Sequence, residues 1–254
     1  MQALAPLGLS FPLPRTREQS SQAHLRGSSY LTLHTVHVVH LPEGFSIERA
    51  RRAQQLIAQR VVESDQIDYP IRYAAGVDVS FKGQIAVGAA AVVEYPSLSL
   101  VEEKAALMRT AVPYVPTLLA FREMGPALMA LKKLSHDYQV LFVDGNGRLH
   151  PYRAGFACQL GLAVGKPTIG VAKSLLIGEA RWLDDVAEVS VGGEVLGYAV
   201  KLGSRPIYVS VGHKISLATA LRLARAFTRP GARLPEPLLQ AHKISVKMRK
   251  SIMC

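Results

Sequence analysis

Cysteine is nearly absent: the chain has two in 254 residues, Cys158 and Cys254, in unrelated contexts. This scarcity excludes a disulfide framework and a cysteine-based zinc cluster, and makes a reducing cytoplasm the expected compartment. Long apolar runs are also missing. The most apolar stretch is broken by Lys166 and Pro167, short of the roughly 20 residues that a membrane span needs, so no membrane partner is expected. Residues 1–14 are apolar but interrupted by Pro6, Pro12 and Pro14, without the basic start of a signal peptide. Acidic residues are few, 19 Asp and Glu against 30 Lys and Arg, for a formal charge of +11. That sign fits a polyanionic partner; surplus surface basicity is the plain alternative. Apolar residues make up 49% of the chain, enough for one large domain or a domain with extensions.

Residues 1–42 read as a poorly ordered N-terminal extension rich in proline, serine and histidine. His34, His37 and His40 could suggest a metal site, but a strand would put His37 on the opposite face from the other two. A solvated segment is the better reading. Residues 46–62 predict a helix with Ser46 as its cap and Glu48 in its first turn. Ile47, Ala50, Ala53, Leu56, Ile57 and Val61 form its apolar face, leaving Arg49, Arg52 and Arg60 available to phosphates. Strands follow at 73–81, 85–95 and 98–108, the first two joined by a Lys82-Gly83-Gln84 turn. Pro113 and Pro116 stiffen the backbone around Tyr114 and hold that aromatic outward. Thr117 is expected to cap a helix that Gly125 and Pro126 break, with a second helix over 127–134.

The centre of the chain is residues 138–178. A buried strand over 138–143 runs into Asp144 and the Gly145-Asn146-Gly147 turn. A helix is expected over 152–164, opened by His150 and Pro151, and a strand over 168–172 ends in Lys173. Further strands are expected at 195–201 and 207–211, and a helix at 216–227 capped by Ser216. Residues 241–254 read as a basic, flexible C-terminal tail. Three antiparallel strands followed by alternating helices and strands describe an α/β mixed sheet with helices on its faces.

Two acids stand out. Asp78 lies inside an apolar strand, which is costly unless it is paired or binds a cation; an arginine partner is the ordinary explanation. If the strand ending in Asp144 pairs in parallel beside the first, the two carboxylates come within one strand spacing, about 4.8 Å. They would repel unless a cation lay between them. Mg²⁺ takes oxygen ligands and suits such a pair plus phosphate and water. Glu123 could supply a third carboxylate, or could be a surface glutamate. Lys173 would add positive charge beside a phosphoryl group. His150 and His213 are candidates for phosphate contact, proton transfer or outer-shell support, and equally for structural hydrogen bonding.

Five segments carry a family resemblance: AGVDVSF at 75–81, VPYVP with LAFRE across 112–123, VDGNGRLHPYRAG at 143–155, KPTIGVAKSLL at 166–176 and VGHKISL at 211–217. Together, in this order, they resemble endonuclease V, the deoxyinosine-specific repair nuclease with a ribonuclease H-like fold, over residues 45–237. The resemblance implies a catalytic domain over 43–240 that binds Mg²⁺, or Mn²⁺ in its place, through Asp78, Asp144 and Glu123, with His213 close to the metal. It implies that Tyr114, braced by Pro113 and Pro116, is part of a wedge that opens the duplex. It implies that hypoxanthine is read largely by backbone groups, for which the turn at Gly145 to Gly147 and Gly170 are candidates, while His150 and Lys173 are expected among the DNA-binding residues. The expected reaction is a nick at the second phosphodiester 3′ to deoxyinosine in DNA, by a monomer and without glycosylase chemistry. The same nuclease acting on inosine in RNA, and a non-catalytic nucleic-acid binder on this fold, are the competing readings. Gln159 departs from the family pattern, where histidine is expected, and the extension before Phe45 is not a family hallmark.

Overall fold

The structure is a computed structural model that describes residues 42–252 apart from Ala111. The histidines 34, 37 and 40 and residues 1–41 of the expected extension lie outside the described residues. Helix α1 (Ile47–Ala58) starts at Ser46, whose side chain accepts from the Arg49 N–H. Strands β1 (Tyr73–Lys82), β2 (Ile85–Glu94) and β3 (Ser99–Arg109) form an antiparallel meander. Then come α2 (Leu119–Leu131), β4 (Val140–Asp144), α3 (Phe156–Val164) and β5 (Thr168–Ala172). Strands β6 (Glu179–Leu183), β7 (Val186–Val191), β8 (Glu194–Val200) and β9 (Ile207–His213) lead into helices α4 (Leu217–Ala226) and α5 (Glu236–Ser251).

All these strands belong to one sheet of order β3-β2-β1-β4-β5-β9-β8-β7-β6. β4 pairs in parallel with β1, Val77 opposite Val143, which sets Asp78 beside Asp144. Alternation divides the core in two. Ala74, Val140, Phe142 and Ile169 pack with Leu223, Phe227 and Leu238 on the α4/α5 side. Ala75, Val77, Leu141 and Val143 pack with Ala120, Ala127 and Phe156 on the α2/α3 side. Asp78 and Asp144 share the parity of the first set. No helix among the described residues is long and apolar enough to cross a membrane.

Four expectations change. α2 is one helix running through Gly125 and Pro126 rather than two. Its buried residues Pro126, Ala127 and Ala130 press on the sheet, and a Cβ on Gly88 would overlap the Pro126 carbonyl. That packing outweighs the lost backbone hydrogen bond. Thr117 is not the cap: it adopts φ 71° and Leu118 precedes the helix. α3 begins four residues late, at Phe156, because the chain before it is tied to the glycine turn: Gly155 N–H donates to the Gly147 carbonyl at 3.0 Å and Ala157 N–H to Asn146 at 3.0 Å. The largest change is at the C-terminus, where residues 236–251 are helix rather than tail. Leu238, Ala241 and Ser245 fall on one face at helical spacing and are buried. The β6–β7 hairpin was not expected at all; β6 is mostly exposed and carries no apolar run.

Candidate metal and nucleic-acid site

Asp78 comes from the middle of β1 and Asp144 from the last position of β4. A ligand atom from each, and one from His242 on α5, all lie within 4.8 Å of one another. Asp78 is buried; it accepts a hydrogen bond from the Ser245 hydroxyl, and His242 Nδ1 lies 3.2 Å from the same carboxylate oxygen. The Lys173 ammonium, just beyond the end of β5, pairs with Asp144. Glu123 reaches the site from α2, on the other side of the sheet, and is also buried. Burial, then the negative charges of Asp144 and Asp78, raise its pKa to about 8. Asp144 is raised as well: burial leads and Asp78 adds to it, against the opposing charge of Lys173. Acids held this close and this far from water carry negative charge that the chain's own cations do not fully balance. The donor set, carboxylates with one imidazole, fits a divalent metal ion.

Beside the acids opens a cavity of about 290 Å³. Its walls include Tyr114, Asp144, Gly145, His150 and Lys173, all expected site residues, and Gln54 from α1. Tyr114 is 58% exposed at the rim, with Pro113 half-buried and Pro116 exposed on either side. His150 is a wall residue with both ring nitrogens engaged. The Tyr152 N–H donates to Nδ1 at 3.2 Å, which puts the ring hydrogen on Nε2, 3.1 Å from the Thr117 carbonyl. Burial pushes its pKa down to about 4, which favours the neutral ring that these two contacts describe. Gln159 also lines the cavity and donates from Nε2 to the Ala154 carbonyl at 3.0 Å.

The family model for Endonuclease V matches residues 55–243. The chain belongs to the endonuclease V family. An Endonuclease V from Thermofilum pendens is 60% identical over 205 residues, covering 80% of this chain and 88% of that relative. The solved Endonuclease V of Streptomyces avermitilis is 33% identical, with a TM-score of 0.74 over 84% of this chain and 97% of that one. Ciona intestinalis Endonuclease V is 31% identical, with a TM-score of 0.74 over 82% of this chain and 99% of that one; it was solved with a 24mer DNA containing an inosine followed by a ribo-adenosine. The mixed sheet with flanking helices is thus the fold of the solved endonuclease V structures and is ribonuclease H-like.

Within this endonuclease V fold two expected residues lie elsewhere. His213 does not approach the acids. It ends β9, opposite Thr168 at the start of β5, whereas Asp144 is opposite Val171. Three residues along a strand is about 10 Å. Because β9 runs antiparallel to β5, its C-terminal end lies at the opposite end of the strands from Asp144. There His213 Nδ1 accepts from the Val62 N–H at 3.2 Å, and burial lowers its pKa. Gly170 lies beneath the glycine turn rather than on the cavity wall. A Cβ there would come 2.5 Å from the Gly147 nitrogen and 2.8 Å from the Gly145 carbonyl oxygen, so the bare glycine seats the loop. The residue that sequence reasoning missed is His242. It sits on the helix taken for a tail, and the signal was there: Leu238, Ala241 and Ser245 mark one buried face, with His242 at its edge.

Proposed function

We propose that this endonuclease V is a Mg²⁺-dependent nuclease that nicks DNA at the second phosphodiester 3′ to deoxyinosine. The observation that carries the reading is the convergence of Asp78, Asp144 and His242 within 4.8 Å, where Asp144 also lines a cavity that an exposed tyrosine flanks. Asp78, Asp144 and Glu123 would hold the ion, with Mn²⁺ able to substitute. When bound, it polarises the scissile phosphoryl group and activates water. Lys173 adds a positive charge on the Asp144 side, where the attacked phosphate accumulates negative charge. His242 stands beside Asp78, placed to exchange a proton with solvent at the edge of the site. Tyr114 enters the duplex and stacks where the lesion base leaves. Extrusion costs a few kcal/mol, less at a mismatch, and stacking returns about 1–3 kcal/mol. The extruded base is read by backbone groups of the turn at 145–147. Exposed Arg49, Arg51 and Arg52 on α1, and Arg60 in the turn after it, meet the phosphates. One chain supplies every group named, in keeping with a monomer.

The experiment is incubation of inosine-containing and control duplexes with and without Mg²⁺, with the cut position mapped. Asp78→Ala is expected to abolish nicking while binding persists; equal nicking by the variant sinks the metal assignment. A second reading is the same chemistry on inosine in RNA. The ribo-adenosine after the inosine in the Ciona relative's ligand favours including it. Matched DNA and RNA strands in one assay separate the two.

A further inference from the structure

Gln54 precedes the residues that the family model matches, yet it is wholly buried and lines the cavity. Its Nε2 donates to the Thr117 carbonyl at 2.6 Å, and the His150 Nε2 hydrogen points to the same oxygen at 3.1 Å. One backbone carbonyl therefore ties together α1, the loop after β4 and the segment that carries Tyr114. Thr117 holds a left-handed φ of 71°, a conformation that a β-branched residue rarely takes. Among the described residues, Gln54 Oε1 and Thr117 Oγ1 are buried without any hydrogen-bond partner. Backbone strain and orphaned polar atoms both cost stability, and they persist where the surroundings over-determine them. An apolar side chain of the same length would pack at position 54 without leaving an orphan.

We propose that Gln54 and His150 are positioning residues that grip the Thr117 carbonyl from two sides and lock the Tyr114 loop in the pose that opens a duplex. The inference rests on the reading of Tyr114 as a wedge. The next residue, Leu118, is buried and anchors the base of the loop, so the grip decides how the exposed tip at Tyr114 is held. Loss of the grip leaves the acids untouched, because neither Gln54 nor His150 bonds to Asp78, Glu123 or Asp144 among the described residues.

The test compares wild type, Gln54→Met, His150→Phe and Tyr114→Ala. Hydrogen exchange across residues 112–118, without nucleic acid, is expected to quicken about fivefold or more in the first two variants. Their kcat/KM on an inosine duplex should fall about tenfold. The loss should shrink to within about threefold when the inosine lies in a bubble that is already open. Unchanged exchange, or an equal loss on duplex and bubble, overturns the proposal. Failure of the wider reading looks different. If wild type nicks neither inosine substrate the enzyme assignment falls, and if Tyr114→Ala keeps its full duplex activity the wedge falls. In either case the exchange rates still judge the grip.

Discussion

Glu123 is held where negative charge gathers faster than the chain can neutralise it. Its pKa of about 8, raised by burial and by Asp144 and Asp78, has a definite consequence for stability. The unfolded chain ionises such a group near its ordinary value of 4.5, while the folded one resists until about 8. Folding stability of the metal-free protein therefore declines as pH rises from about 4.5 to 8, and is highest below that window. Glu123→Gln should raise the melting temperature measured in EDTA at pH 8, by an amount equal to a few kcal/mol or less, and should lose nicking. At pH 4.5 the stability gain should vanish. A cation entering the site should also displace the Glu123 proton below pH 8, so titration calorimetry in buffers of different ionisation enthalpy should report proton release. Identical heats after buffer correction would contradict this.

At the scale of elements, the contact of α5 with β1 builds the site. A Cβ on Gly76 would overlap the Pro237 carbonyl at the start of α5, and only glycine lets the helix come this close. Gly76→Ala should destabilise the fold by about 1–3 kcal/mol in urea melts. It should also cost activity beyond the stability loss, since His242 and Ser245 move off Asp78 with the helix. The β3 edge is tied down differently. Glu102 accepts from the backbone N–H groups of Ser135 at 3.0 Å and His136 at 2.8 Å, and from the His136 ring at 3.0 Å. Burial alone would raise its pKa; these hydrogen bonds outweigh it and lower it to about 2. The resulting stabilisation is present above about pH 4.5 and is lost as pH falls toward 2. Glu102→Gln should cost about 1 kcal/mol at pH 7 for this largely surface network, and the gap from wild type should close on acidification.

Across the whole molecule the excess of positive charge has a place. Exposed Arg49, Arg51 and Arg52 project from α1, with Arg60 in the turn just after it; the buried side of that helix puts Gln54 in the cavity. Replacing Arg51 and Arg52 with glutamine should flatten the slope of log affinity against log salt by roughly 2, about 0.9 for each lost phosphate contact. The change should be equal on inosine and control DNA. A slope that does not move would place the phosphates on another face.

Much of this architecture was legible in the chain because it is local. Alternation and β-branching marked β1 and β4, the prolines flanked Tyr114, and an acid inside an apolar strand announced Asp78. The meeting of Asp78 with Asp144 could be argued once parallel pairing was assumed, since strand spacing is a constant of the backbone. Other features follow from packing over long separations. α2 stays whole through Pro126 because its buried face is worth more than one hydrogen bond. α5 forms because its thin stripe of Leu238, Ala241 and Ser245 finds a sheet to cover. His242 joins Asp78 across 164 positions while His213 is carried to the opposite end of the strands by the direction of β9. Local residue patterns commit each segment to helix, strand or turn; strand order and buried area then select which side chains share a site, and that selection is a property of the assembled core.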